Sequence, residues 1–180
     1  MRIIGGRNKR RTINPPANLR ARPTTDFAKE NLFNVIGNYF DFEQVEVLDL
    51  FSGTGSISYE FASRGAGRVV SVELNPVHHK FIAGMAAELK YEGMTAIRTN
   101  AFVYLKSIKD SFDIIFADPP YDLEGIEKIP DAVFSRGLLR AGGWLIVEHS
   151  SDKDFSDHDH YLETRRYGSV NFSIFSSDRG

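Results

Sequence analysis

The sequence has 180 residues, 42% of them hydrophobic, with 14 Phe, one Trp and no Cys. That length suits one compact α/β domain with a short appendage, and the absence of Cys excludes thiolate nucleophiles and disulfide scaffolds, in keeping with a reducing compartment. The net charge of −2 is unevenly spread: residues 1–25 hold seven basic side chains and no Asp or Glu, which leaves 15 basic against 24 acidic groups on the rest. A basic arm on an acidic body suggests a polyanion contact grafted onto a soluble domain. No apolar run approaches the ~20 residues of a membrane span, and the opening Met1–Arg7 holds no stretch suited to a secretory signal. The expectation is a soluble, cytoplasmic, monomeric protein that makes no membrane contact.

In chain order, residues 2–13 read as a short hairpin, which Asn14-Pro15-Pro16 ends. A helix follows over residues 27–39, with Leu32, Phe33, Val35, Ile36 and Phe40 at helical spacing and Thr25 or Asp26 as N-cap. From residue 45 strands and helices alternate. Strands are expected at 45–50, 68–73, 95–99, 112–117 and 144–148, the last preceded by Gly142-Gly143. Helices are expected at 56–64, at 76–91 behind Pro76, at 101–108 and within 124–137. Residues 150–160 are polar and acidic and read as an exposed loop. Residues 161–167 and 170–175, around Gly168-Ser169, read as a closing hairpin. The pattern predicts a mostly parallel sheet covered on both faces, in one α/β domain over 26–180 with a basic arm over 1–25.

Two segments carry chemistry. The first is Asp49-Leu50-Phe51-Ser52-Gly53-Thr54-Gly55, at the first strand-to-helix turn. Glycines there let the backbone turn tightly and let a ligand approach it. Glu73, at the end of the next strand, can accept both hydroxyls of a ribose. Ser58 stands where a dinucleotide fingerprint has its third glycine, and the Asp49 carboxylate would repel a pyrophosphate while suiting an amino-acid ammonium. S-adenosylmethionine has that ammonium, a ribose and no phosphate. A plain tight turn is the simpler alternative.

The second is Asp118-Pro119-Pro120-Tyr121, after an apolar strand. The prolines fix φ and remove two donors, so the carbonyls near Asp118 and Pro119 face outward as acceptors. Acceptors on both N–H groups of an exocyclic base amine draw its nitrogen toward tetrahedral geometry and localise its lone pair. Tyr121 would stack on the base. If the strand order is 3-2-1-4-5, both segments meet where the order reverses.

With these residues in view, the chain resembles the RsmD-type family of 16S rRNA guanine-N2 methyltransferases. The likeness runs from Met1-Arg-Ile-Ile-Gly-Gly6 through Arg22-Pro-Thr-Thr-Asp26, Leu32-Phe-Asn34, Asp49–Gly55, Ser63-Arg-Gly-Ala66, Glu73 and Asn100-Ala101 to Asp118–Tyr121. It implies a Rossmann-like class I S-adenosylmethionine-dependent methyltransferase with a seven-stranded sheet ordered 3-2-1-4-5-7-6. It implies methyl transfer to guanine 966 of 16S rRNA in the small subunit or a late assembly particle.

It also implies a set of site residues. Asp49, Phe51, Gly53 and Gly55 would cradle the methionine part, with Glu73 and Leu74 at the ribose. Asn100 and the Ala101 amide would meet adenine, and Arg22 and Thr24 would close over the cofactor. Asp118, Pro119, Pro120 and Tyr121 would hold the guanine. Arg2, Arg7, Lys9, Arg10, Arg11 and Arg20 would touch RNA. Where the family often has Arg after Arg-Pro-Thr-Thr-Asp, this chain has Phe27. The catalytic corner alone also fits an adenine-N6 or glutamine amino-methyltransferase. An NAD-dependent oxidoreductase and a non-catalytic RNA-binding factor are alternatives of other classes. No metal is expected, because His78-His79 point apart on a helix and His158-Asp-His160 lacks a third ligand.

Overall fold

The computed structural model describes residues 1–19 and 24–178. The first helix, α1 (Asp26–Ile36), starts where its cap requires: Thr25 has extended backbone and its hydroxyl accepts from the Ala28 amide. It buries Ala28, Leu32, Phe33 and Ile36. Strand and helix then alternate as β1 (Glu46–Leu50), α2 (Ser56–Ser63), β2 (Arg68–Val72), α3 (Pro76–Glu88), β3 (Met94–Ile97), α4 (Ala101–Ser107) and β4 (Phe112–Ala117). The chain ends with α5 (Ile129–Phe134), β5 (Leu139–His149), β6 (Tyr161–Tyr167) and β7 (Val170–Ser176).

The strands form one sheet in the order β3-β2-β1-β4-β5-β7-β6. The first five run parallel, and β7 is antiparallel to both β5 and β6. This is the order implied by the family resemblance. Period-two alternation divides the core between the two faces. Val47, Val69, Ile114, Phe116 and Ile146 pack with α1, α2 and α3, whereas Leu48, Val70, Ile115 and Leu145 pack with α4 and α5. The rings gather on the first face, where Phe33 lies 4.6 Å from Phe61 and 5.9 Å from Phe42.

Three local expectations are modified. Gly142-Gly143 lies inside β5 rather than before it. Gly142 has φ 72°, and the β4–β5 register shifts between Phe112 and Ile114. A Cβ on Gly143 would fall 2.9 Å from the carbonyls of Arg140 and Asp113, so these glycines make a bulge and not a break. The helix expected within 124–137 shrinks to a 3-10 turn at Ile126–Lys128 followed by α5, whose opening turn holds Pro130. The 150–160 loop lies partly inside, because Phe155 packs against the rings of His149 and Phe175 at 5.0 and 5.6 Å.

The N-terminal hairpin is short and firmly docked. Arg2 and Thr12 form an antiparallel bridge, and Ile3 and Ile13 are each only 2% exposed. Gly6 has φ 73°, and a Cβ there would sit 1.9 Å from the Ser63 carbonyl oxygen. The buried Glu60 carboxylate accepts from the Ile4 and Gly5 amides at 2.8 Å and from Arg64 Nε at 2.9 Å, with Lys29 Nζ 3.7 Å away. Lys29 in turn donates to the Arg2 carbonyl at 2.6 Å and to Ser56 Oγ at 3.1 Å. Burial holds the Lys29 ammonium below its ordinary pKa, and Glu60 opposes that shift.

A second buried polar chain joins β1, α2 and β2. Ser58 Oγ donates to Asp49 Oδ2 at 2.5 Å and lies 2.6 Å from Ser71 Oγ. Burial pushes the Asp49 carboxyl from 3.8 up to about 7.

Two stability predictions follow from these networks. Glu60→Ala leaves Lys29 buried without its counter-charge, and urea unfolding should show a loss of about 3–5 kcal/mol. Exposed-face substitutions measured alongside should stay within about 0.5 kcal/mol. For Asp49, the unfolded chain ionises near pH 4 while the folded chain holds its proton to about pH 7. Stability therefore falls as pH rises through that window. Between pH 5 and 8 the parent chain should lose on the order of 2 kcal/mol more than Asp49→Asn, and equal pH profiles would contradict this assignment.

Candidate active site

Strands β1 and β4 are neighbours at the point where the strand order reverses, with Leu50 opposite Ala117. The Asp118 amide donates to the Leu50 carbonyl at 3.3 Å, which ties the two strand ends together. A cavity of about 840 Å³ opens beyond them, at the carboxyl ends of the strands. This is the place where open α/β sheets hold ligands, and the volume suits a cofactor-sized molecule.

One wall is the glycine loop. Phe51, Gly53 and Gly55 take positive φ values of 58°, 56° and 87°. A Cβ on Gly55 would meet the Tyr59 ring at 2.6 Å, so the loop lies directly on that ring and only glycine fits. Glu73 shapes the loop from below: Oε2 accepts from the Gly53 amide and Oε1 from the Asn75 amide, both at 2.8 Å. Each carboxylate oxygen keeps acceptor capacity toward the cavity, as a ribose diol would need. Asn100 caps α4 by accepting from the Phe102 and Val103 amides at 2.9 and 3.2 Å. Asn100 and Ala101 both line the cavity, with the exposed Leu74 at its edge.

The facing wall is Asp118-Pro119-Pro120-Tyr121, and all four residues line the same cavity as Gly53 and Glu73. Several further residues line the cavity without being singled out for it by the sequence, among them His78, Thr99 and, near the end of β5, Glu148. Glu148 is 4% exposed, and it accepts from Thr24 Oγ1 at 2.7 Å and from Tyr121 Oη at 3.3 Å. A signal was present, since Glu148 is an acid near the end of an apolar strand, as Asp49 and Glu73 are at theirs.

Not every expected residue reaches the site, and Gly55, which lies on Tyr59, is not among the residues that line the cavity. Asp49 lies beneath the loop, 1% exposed and bonded to Ser58, and is not among the cavity-lining residues. Burial raises its carboxyl pKa to about 7, and its bonded partners are Ser58 and the loop rather than groups in the cavity. Thr24 reaches the cavity through Glu148. Arg22 and Arg20 lie outside the described residues. In the hairpin, Arg7 donates to the Lys90 and Leu89 carbonyls at 2.7 and 3.3 Å and lies over the Tyr91 ring. Arg11 pairs with Glu88, and Arg2 with Asp26 at 3.3 Å. Lys9 and Arg10 are exposed.

The cavity is acidic, with Glu73, Asp118 and Glu148 on its walls. That charge favours a cationic ligand and opposes a pyrophosphate. Among the described residues no group of three or more His, Asp or Glu is placed to hold a metal ion. His160 instead stacks on Phe134 at 4.0 Å, and His158 lies 3.3 Å from Asp131. Gly55→Ala tests the loop: the added methyl must displace Tyr59 or the loop, so affinity for S-adenosylmethionine by calorimetry should fall at least tenfold, with the fold retained by circular dichroism.

Residues 1–176 match the family model described as conserved hypothetical protein 95. The chain is 31% identical to the putative rRNA methyltransferase YlbH of Bacillus subtilis, over 87% of this chain and 86% of that protein. It is 30% identical to ribosomal RNA small subunit methyltransferase D of Escherichia coli K12, over 82% of this chain and 71% of that protein. Its structure resembles that of the putative methyltransferase yhhF from Escherichia coli with a TM-score of 0.84 at 25% identity, covering 100% and 99% of the two chains. A more distant likeness is to SMU.776, a putative methyltransferase complexed with SAH. It has a TM-score of 0.61 at 18% identity and covers 73% and 45% of the two chains, a similarity of fold alone. With the sheet order of a class I methyltransferase and a family match over almost its whole length, the chain belongs to the conserved hypothetical protein 95 family, the RsmD-type methyltransferases.

Proposed function

We propose that the chain transfers a methyl group from S-adenosylmethionine to the exocyclic N2 amine of a guanine in 16S rRNA, guanine 966, in the small subunit or a late assembly particle. One observation carries this reading: the glycine loop with Glu73 and the Asp118–Tyr121 corner line opposite walls of a single cavity. The rRNA target is supported by the relatives named as small-subunit rRNA methyltransferases.

The residues present fit S-adenosylmethionine. Phe51 and Gly53 of the loop border the cavity, Glu73 offers two acceptors to the ribose, and Asn100 and Ala101 border the space for adenine. When bound, the cofactor supplies an electrophilic methyl carbon on a sulfonium. The three wall carboxyl groups favour that positive charge.

The chain's own contribution is orientation. The Asp118 carboxylate and the Pro119 carbonyl accept the two N–H groups of the base amine, which localises the nitrogen lone pair. Gly53, Glu73, Asn100 and Ala101 would hold the cofactor with its methyl group available to that nitrogen, and the alkylated amine would then release its proton to solvent. Because that amine is acidic, Asp118 need not remove a proton beforehand. Positioning and electrostatics supply most of the rate. Tyr121 is fixed at its hydroxyl by Glu148, so its ring is a preset stacking surface for the guanine.

The reading includes a cytoplasmic monomer that uses no metal. Residues 1–25 are its RNA-contacting arm, with Lys9 and Arg10 among the exposed hairpin cations.

Asp118→Ala should lower methyl transfer by about 10²–10³-fold, with cofactor affinity by calorimetry within a few-fold of the parent. Unchanged transfer would reject the mechanism. The assay is tritium-methyl transfer onto small subunits from a strain lacking the enzyme, followed by nucleoside analysis. It should yield N2-methylguanosine, and N6-methyladenosine would sink the target assignment. Replacing Lys9 and Arg10 with Ala should weaken RNA binding and reduce the slope of log K against log salt by about two. An unaltered slope would leave the hairpin as plain surface.

A further inference from the structure

The second residue of α1, Phe27, is 64% exposed, although its ring does not lie in open solvent. It meets the Tyr167 ring at a centroid distance of 6.3 Å and an interplanar angle of 85°. Tyr167 is itself braced by the buried Phe172, at 6.1 Å. One ring is thus held edge-to-face on another that is anchored in the core.

The location is informative. Strands β5 and β6 run in the same direction, because each is antiparallel to β7. Tyr167 therefore ends β6 at the carboxyl edge of the sheet, where the cavity opens. Register confirms this: Arg166 and His149 both face Asn171. Thr24, three residues before Phe27, donates to Glu148 on the cavity wall. Asp26, its direct neighbour, pairs with Arg2 of the basic hairpin. The ring pair lies on the outer strand at this edge, one residue along α1 from the Asp26–Arg2 ion pair.

Phe27 is also not part of a broad apolar face. The other exposed large apolar residues lie elsewhere: Tyr39 on Trp144 in the middle of β5, Leu74 at the cavity, Val77 on α3, Val103 on α4, and Leu162 near the start of β6, at the opposite end from Tyr167. A single braced ring next to the Asp26–Arg2 ion pair is better matched to a nucleobase than to a broad apolar protein patch.

We propose that Phe27 and Tyr167 form a stacking platform for an unpaired rRNA nucleobase adjacent to the target guanine. The proposal rests on the rRNA methylation reading above. A guanine that enters the cavity leaves its stack, and its neighbour loses a stacking partner. Phe27 offers a replacement face within the same continuous surface, which lowers the cost of unstacking.

The test is steady-state methyl transfer by the full chain on small subunits lacking the modification, with cofactor affinity and melting temperature measured for each variant. Phe27→Ala should raise KM for the subunit about tenfold, within the range of a single base–aromatic stack. Its kcat, cofactor affinity and melting temperature should stay close to those of the parent. Phe27→Trp should keep the parent KM, and Phe27→Leu should behave like Phe27→Ala. An unchanged KM for Phe27→Ala overturns the platform. A parent-like KM for Phe27→Leu also overturns it, since that outcome assigns Phe27 to an apolar contact with a ribosomal protein. A parent chain that makes no methylated guanosine on these subunits removes the methylation reading and the platform with it. A fully active parent beside an unaffected Phe27→Ala removes the platform alone.

Discussion

The pairing of β1 with β4 is the constraint on which the site depends. Both strands are parallel and end at the same level, Leu50 opposite Ala117, with one further hydrogen bond from Asp118 back to Leu50. The residues that follow them must leave the sheet side by side. The glycine loop turns one way into α2 and the proline corner turns the other way. The gap between them is the cavity, so the glycine loop and the Asp118–Tyr121 corner meet as a result of strand order and register. No long-range docking of separate domains is needed.

Charge then selects what the gap can hold. Glu73, Glu148 and Asp118 come from the ends of three different strands and converge on one space. Asp49 ends a strand too, yet it is withdrawn into a serine-lined pocket and pushed toward neutrality. Similar carboxyl groups at comparable strand positions therefore divide into three that line the cavity and one, beneath the loop, that ties α2 to the sheet. Glu148 has a further role, because it bonds both Tyr121 of the acceptor corner and Thr24 at the entry to α1. The acceptor side of the cavity is thereby linked to the start of the first helix.

Much of this was readable in the sequence, for identifiable reasons. The glycine loop and the Asp-Pro-Pro-Tyr corner follow from backbone rules that act within a few residues, and the strand–helix alternation follows from periodicity. What escaped depends on distance or burial. Glu148 and Thr24 are 124 residues apart in sequence, and no local pattern pairs them. The orientation of Asp49 depends on Ser58 and Ser71, whose burial only the packed sheet creates. Gly142-Gly143 resembles a strand boundary, and its use as a bulge depends on the register of β4 alongside. The basic hairpin was legible as an element, whereas the protein partners of Arg2, Arg7 and Arg11 were not.

The way Glu60 fastens the hairpin has a consequence for association with a large partner. A basic segment that ordered only on contact would spend part of its interaction free energy on losing its own conformational freedom. Here the backbone amides of Ile4 and Gly5 are already bound to a buried carboxylate, and Ile3 and Ile13 are already in the core. A partner docking on the described part of the hairpin would therefore meet a preset surface, and the conformational adjustment would fall mainly on that partner.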